Sequence, residues 1–315
     1  MNKIAYKLPK EFISRINTFL PKVSVRILNA LTASPLTTFR INRIKIDIAR
    51  WKMYMKQEHI LTQSVSWSKE AFILKNMSQR QLQETSAYQE GLIYLQNLSS
   101  MVPVILMKPA PGERILDLCA APGSKTTQIA SITDNKASIV AVEKIRPRFF
   151  RLRANVEKQG VTSARLMLGD GNAIARKFPE YFDKVLLDAP CSSEGLFNAH
   201  NDRTYSYWSL RKVKEMQYKQ KRLISAAWNA LQKGGTMVYS TCTFSPEENE
   251  EVINWLIKKF PDEVKVEEPQ LPFPNYIKGL TNMGEKSFNP DIRKTRRILP
   301  TEAMEGFFIA VLRKV

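Results

Sequence analysis

The chain has 315 residues, 43% of them hydrophobic, enough for a sizeable core, yet no apolar run approaches the ~18–20 residues that a bilayer span needs, so no membrane span is expected. Lys and Arg number 48 against 30 Asp and Glu; the formal net charge of +18 favours a polyanion partner, nucleic acid ahead of an anionic membrane surface. Three widely spaced cysteines, Cys119, Cys191 and Cys242, argue against a disulfide framework and for a reducing, cytoplasmic setting, and with only two histidines no metal site is expected.

Half of the positive excess lies in residues 1–60, where twelve Lys or Arg stand against three acids. Residues 10–33 predict short helices, with Phe12, Ile16, Phe19 and Leu20 at helical spacing. TTFRINRIKIDI (37–48) alternates apolar and polar residues and predicts a strand with an outward basic edge. A helix over 49–57 and strand-like pieces around 60–67 and 71–75 complete a small α+β module. The expected division is a basic, polyanion-contacting module over 1–85 and a second domain over 86–315.

From about residue 112 strands alternate with helices. Strands are predicted at 114–120, 138–144, 164–170, 183–190 and 236–243, with helices at 124–131, 147–159, 208–231 and 247–260 and a final strand in GFFIAVLRK. This alternation predicts an α/β fold with a doubly wound, Rossmann-like parallel sheet. Ligands of such sheets bind outside the carboxyl ends of the strands.

The first of these strands runs into DLCAAPGSKTT (117–127), where Pro122 and Gly123 predict a tight turn before a helix N-terminus with free N–H groups. The loop is neither GxGxxG nor a P-loop, which disfavours a dinucleotide or a triphosphate. Glu143, Asp170 and Asp188 end three successive strands. Each alone is explained as well by a solvated strand end or turn. Together they suit an adenosine ligand bearing a sulfonium and an ammonium, which is S-adenosylmethionine. Cys191 and Cys242 follow the fourth and fifth strands, so both thiols could face one pocket. A lone cysteine is usually a small buried apolar residue. Two beside Asp188 point to covalent catalysis, in which a thiolate adds to carbon 6 of a cytosine and makes carbon 5 nucleophilic. Cys119, nearer the turn, is expected to pack or to lend its backbone.

LQNLSSM (95–101), DLCAAPGSKTTQIA (117–130), LLDAPCSSEG (186–195), YSTCTFSPEENE (239–250) and RILPTEAMEGFF (297–308) resemble the Sun/Nop family of RNA cytosine-C5 methyltransferases, as does PLTTFRINRIK (35–45) in the module ahead of them. The resemblance covers almost the whole chain. It implies a class I methyltransferase sheet and methylation of cytosine carbon 5 in RNA, with a slight lean to ribosomal over transfer RNA. It implies that Cys242 is the nucleophile, that Cys191 assists release of the product, and that Asp188 lies between cofactor and target base. Cys119, Ala120, Ala121, Pro122, Gly123, Ser124 and Lys125 would hold the cofactor with Glu143 and Asp170, and Lys125 would also face the base. The chain departs from the family pattern at Ser193, where glycine is usual, and at Thr301, where histidine is frequent; neither touches the catalytic set. RNA is the expected partner, of a monomer, with the basic helix Lys144, Arg146, Arg148, Arg151, Arg153 and Lys158 tracking phosphates and Trp67, Tyr205, Tyr207 and Trp208 as candidate stacking groups. Two other classes stand beside this one: a DNA cytosine methyltransferase with Cys191 as nucleophile, and a non-catalytic RNA-binding or ribosome assembly factor that keeps the fold.

Overall fold

The computed structural model describes residues 7–315, so the first six residues of the expected module and their share of the basic cluster lie outside the described residues. The apolar spacing of the first segment folds it into α1 (Lys10–Phe19) and α2 (Ser24–Ala30). Their buried Phe12, Ile16, Ile27 and Leu28 pack with Phe197, Phe244 and Leu299 of the larger sheet domain, so this segment is part of the floor under the site.

A four-stranded antiparallel sheet follows, built from β1 (Thr38–Ile41), β2 (Thr62–Val65), β3 (Ser68–Leu74) and β4 (Ile93–Leu95) in the order β2-β3-β1-β4. Helices α3 (Ile48–Gln57), α4 (Gln79–Glu84) and α5 (Ser86–Gln89) connect them. The fourth strand lies beyond residue 85, where the sequence suggested the division. The strand expected over 37–48 ends at Ile41. Asn42 breaks it: its Nδ2 donates to the carbonyls of Gly91 (3.0 Å) and Gln159 (2.8 Å), and its Oδ1 accepts the Ile44 N–H. Asp47 then caps α3 by accepting the Arg50 N–H. The outward basic edge also needs correction at Arg40, which is buried. Its guanidinium donates to Gln96 Oε1 (2.8 Å), Thr127 Oγ1 (2.7 Å) and the Ser124 carbonyl (3.1 Å), and burial lowers its pKa to about 10.

Helix α6 (Leu98–Met107), which the periodicity did not reveal, leads into the large sheet. Its elements are β5 (Arg114–Leu118), α7 (Ser124–Ile132), β6 (Ser138–Glu143), α8 (Arg146–Lys158), β7 (Ala164–Leu168), α9 (Ile174–Lys177), β8 (Phe182–Asp188), α10 (Leu210–Ala230), β9 (Leu231–Thr241) and α11 (Glu250–Lys259). After α11 come β10 (Val264–Glu267), β11 (Tyr276–Lys278), the short hairpin β12 (Asn282–Met283) and β13 (Lys286–Ser287), β14 (Arg296–Ile298) and β15 (Phe307–Lys314). The order is β11-β14-β15-β9-β8-β5-β6-β7, with β10 also paired to β15.

Strands β7, β6, β5, β8 and β9 are parallel, as expected of a doubly wound sheet. The remaining edge is not: β15 runs antiparallel to β9, and β14, β11 and β10 extend it antiparallel. A fully buried apolar run carries no mark of its direction. Alternate residues of one strand feed opposite faces, with Ile115, Ile139 and Ile309 on one and Leu116, Val140 and Phe308 on the other. No helix among the described residues is long and apolar enough to cross a membrane.

Candidate active site

The carboxyl end of β5 enters the turn 119–123 in a left-handed conformation at Cys119 (φ 76°) and leaves it so at Gly123 (φ 104°). A Cβ on Gly123 would stand 3.1 Å from Leu152 Cδ1 of α8, so both backbone and packing call for glycine. Helix α8 fixes the turn from outside: Arg148 donates to the Ala121 carbonyl and Asn155 to that of Pro122, each at 2.8 Å. Thr126 donates to the buried Asp117 at the strand end, whose pKa burial raises to about 6. Burial, with the acids Glu143, Asp117 and Asp188 around it, pushes the Cys119 thiol up, so Cys119 packs under the turn as a protonated thiol.

Glu143 ends β6 with 3% exposure. Its Oε1 accepts the Ile145 N–H at 2.8 Å, while Oε2 has no hydrogen-bond partner. The Arg148 guanidinium stands 3.7 Å from Oε2, beyond hydrogen-bond reach. A buried carboxylate oxygen left open costs free energy unless a ligand completes it. Asp170 follows β7. The Lys144 ammonium and the Asn172 N–H, both at 2.9 Å, hold its carboxyl below the usual range.

Asp188 ends β8 and is gripped on both oxygens. Lys125 Nζ lies 2.6 Å from Oδ2, and Ser240 at the end of β9 donates to Oδ1 at 2.7 Å. The same ammonium donates to Ser100 Oγ of α6 at 2.8 Å and stands 5.7 Å from the ring centre of Phe307. Lys125 therefore sends its side chain from the first turn of α7 to Asp188. Beyond Asp188 the two cysteines converge: Cys191 Sγ and Cys242 Sγ are 3.3 Å apart. Hydrogen bonding to Cys242 and then burial push the Cys191 thiol well above its ordinary value.

The groups that hold these loops were not singled out from the sequence. Glu248, fully buried, accepts the Ser192 N–H (2.9 Å) and the Gln220 amide (2.9 Å), and it is hydrogen-bonded to the Ser192 hydroxyl. Glu194 accepts from Thr243 Oγ1, the Phe244 N–H, Ser245 Oγ and Trp208 Nε1 at 2.7–3.0 Å. Burial, reinforced by Glu194, raises Glu248 to about 8. The close approach of Gly195 to Gly306 completes the clasp: a Cβ on Gly195 would lie 2.1 Å from the Gly306 carbonyl oxygen. Glu305 precedes that glycine, with its backbone tied to Asn97 and Ser99, and burial raises its carboxyl to about 7. The signal for all of them was polar residues crowded inside LQNLSSM, CSSEG, SPEENE and MEGFF.

The expected RNA contacts divide. Arg146, Arg151 and Arg153 are exposed on α8. Arg148 is spent on the turn, and Lys158 sits 3.6 Å from the ring centre of Tyr88. Of the aromatic candidates, Tyr207 is 90% exposed. Trp208 packs in an aromatic cluster with Phe12 and Phe197, Tyr205 packs on Phe197, and Trp67 packs on Phe273. Trp208 also precedes α10, which Ser209 caps.

The family described as 16S rRNA methyltransferase RsmB/F matches residues 104–313, and the N-terminal domain of 16S rRNA methyltransferase RsmF matches residues 8–98. A ribosomal RNA small subunit methyltransferase F of Pectobacterium carotovorum is 36% identical over 313 residues, covering 98% of this chain and 63% of that protein. The chain thus spans under two thirds of the length of that curated relative. A tRNA (cytosine(49)-C(5))-methyltransferase of Pyrococcus abyssi is 40% identical over 281 residues, 88% of either chain. The crystal structure of a methyltransferase homologue from Pyrococcus horikoshii superposes over the full length of both chains with a TM-score of 0.84 at 31% identity. The expected class I methyltransferase fold is therefore the observed one.

Proposed function

Since the chain belongs to the RsmB/F methyltransferase family, which is the Sun/Nop family of the sequence reading, we propose that it transfers a methyl group from S-adenosylmethionine to carbon 5 of a cytosine in RNA. The observation that carries this reading is the meeting of Cys191 and Cys242, 3.3 Å apart, next to an Asp188 fixed by Lys125 and Ser240. The division proposed is a module up to β4 and a methyltransferase domain beyond it.

The open Oε2 of Glu143 and the turn 119–123 fit the cofactor. Glu143 would accept the ribose hydroxyls, Asp170 would stand at the adenine, and residues 119–125 would line the methionyl part, with the N–H groups that open α7 toward its carboxylate. Bound S-adenosylmethionine would supply an electrophilic methyl group. Cys242, as thiolate, adds to cytosine carbon 6; the new C–S bond pushes the ring electrons to carbon 5, which takes the methyl. Asp188, held rigid on both oxygens, orients the ring at its amino edge, and Lys125 balances its charge. A base, solvent water or the Cys191 sulfur, then takes the carbon 5 proton; the C–H electron pair restores the C5–C6 double bond and the Cys242 sulfur leaves as thiolate, a release that the neighbouring Cys191 assists.

The test is transfer of a labelled methyl group from the cofactor to ribosomal RNA, transfer RNA and DNA, followed by nucleoside analysis. 5-Methylcytidine in RNA is expected, with ribosomal RNA the preferred substrate. Label in DNA alone, or none in any nucleic acid with the cofactor bound, overturns the reading.

A further inference from the structure

Ser193, the departure expected to leave the catalytic set untouched, lies against it instead: two residues after Cys191 it adopts φ 59° and ψ 29°. For a residue with a Cβ this left-handed conformation costs on the order of 1 kcal/mol, and such positions concentrate where the surroundings make use of them. The conformation puts the Ser193 hydroxyl 3.8 Å from Cys242 Sγ, where it accepts a hydrogen bond from the Cys242 thiol. The hydroxyl makes no other hydrogen bond among the described residues, while the Ser193 carbonyl accepts the Leu196 N–H at 3.0 Å and anchors the turn. Cys242 Sγ thus has two hydrogen-bonding neighbours, the thiol of Cys191 and the hydroxyl of Ser193. No Lys, Arg or His among the described residues hydrogen-bonds to either sulfur, which leaves a thiolate at Cys242 without a cationic partner.

Resting on the reading of Cys242 as nucleophile, we propose that Ser193 is a positioning residue whose hydroxyl turns to donate to the Cys242 thiolate, holding it for attack and favouring its ionised form. A hydroxyl is a better donor to a sulfur anion than the neighbouring S–H. The left-handed turn is what brings it there. The other titratable and charged groups about Cys242 are Cys191, Glu194 and Glu248 behind Ser192 and Thr243, the Lys125–Asp188 pair, and Glu305 beside Gly306. All but Lys125 are anionic when ionised, so they oppose the thiolate, and a substitution at Ser193 leaves each in place.

The experiment is peptide-resolved alkylation by iodoacetamide, followed against pH in the full chain without RNA or cofactor, for the unsubstituted protein, Ser193→Ala and Ser193→Gly. Both variants should move the alkylation midpoint of Cys242 upward by about 0.5–1 pH unit, the equivalent of one hydrogen bond. Thermal melting tells the turn from the hydroxyl: Ser193→Gly relieves the backbone and should melt no lower than the unsubstituted protein, yet show the same shift as Ser193→Ala. An unchanged Cys242 midpoint in both variants overturns the proposal, as does a shift in Ser193→Ala that Ser193→Gly does not show. Methyl transfer by Cys242→Ala would sink the nucleophile reading by itself and leave the alkylation result standing.

Discussion

The hydroxyl of Ser192 lies 2.8 Å from that of Thr243. These residues directly follow Cys191 and Cys242, so the two cysteine loops are joined one residue past their sulfurs and again through the buried Glu248 behind them. The sulfur–sulfur distance is therefore a property of a locked pair of loops, and either cysteine can be replaced without releasing the other.

That independence makes the two thiols separable. Cys242→Ala should abolish methyl transfer and form no covalent adduct with RNA. Cys191→Ala should leave attack and methyl transfer possible but slow the release, so that protein stays attached to RNA on a denaturing gel. The double variant should trap nothing. An adduct from Cys242→Ala but not from Cys191→Ala would reverse the assignment and restore the mechanism expected of a DNA-type enzyme. If both residues only pack, each alanine lowers stability modestly and no adduct forms.

Glu143 gives a prediction read in two measurements. Its buried Oε2 lacks the hydrogen bond that a ribose hydroxyl would supply. Glu143→Gln should weaken binding of S-adenosylmethionine by roughly 1–3 kcal/mol, read by calorimetry. The same substitution removes a buried charge together with its ion pair to Arg148 at 3.7 Å, so the melting temperature of the ligand-free protein should change little. Unchanged affinity would take Glu143 out of the cofactor site.

The parallel half of the sheet and the positions of Glu143, Asp170, Asp188, Cys191 and Cys242 at strand ends were legible because apolar runs of strand length alternate with amphipathic helices, and each run stops at a polar residue. Asn42 shows where that reading stops. Its amide holds carbonyls of Gly91 and Gln159, far away in sequence, and those contacts join a local turn in which Asn42 accepts the Ile44, Lys45 and Ile46 N–H groups. Arg40 shows the same limit for charge: a basic residue on an alternating strand reads as solvated, whereas its partners Gln96 and Thr127 draw it into the junction between the two sheets. The clasp around Glu194 and Glu248 was hidden for a third reason, since acids in a run such as SPEENE look like a helix start until Ser192, Thr243 and Gln220 are seen to surround them.

RNA affinity should fall steeply with salt, because Lys and Arg that neutralise phosphates release counterions. Arg146, Arg151 and Arg153 point to solvent along one helix, so changing all three to Gln should lower the slope of log affinity against log salt by roughly 2–3 without altering cofactor binding. A slope equal to that of the unsubstituted protein would remove α8 from the RNA-contacting surface.

The last prediction concerns pH. Burial raises Asp117 to about 6, Glu305 to about 7 and Glu248 to about 8, from ordinary values of 3.8, 4.5 and 4.5. In all three the folded chain holds a proton that the unfolded chain gives up earlier. The sign follows: the stability tied to these protons is complete below about pH 4 and is lost as pH rises through each folded value. Unfolding free energy should therefore fall between pH 5 and pH 8 and level off above, with each group contributing a slope of at most about 1.4 kcal/mol per pH unit. Carboxyls held low by cations, such as Asp170 with Lys144 and Asp183 with Arg114, act oppositely but only in acid, below about pH 4. Glu248→Gln mimics the protonated carboxyl, since its amide can donate to Ser192 or Thr243 while its oxygen still accepts from Gln220. It should remove the part of the decline nearest pH 8 and leave the variant more stable than the unsubstituted protein at pH 8.5. Urea unfolding at several pH values between 5 and 9 measures this directly. A stability that is flat or rising from pH 6 to pH 8 would mean that Glu248 is ionised in the clasp, held there by the Ser192 and Gln220 donors.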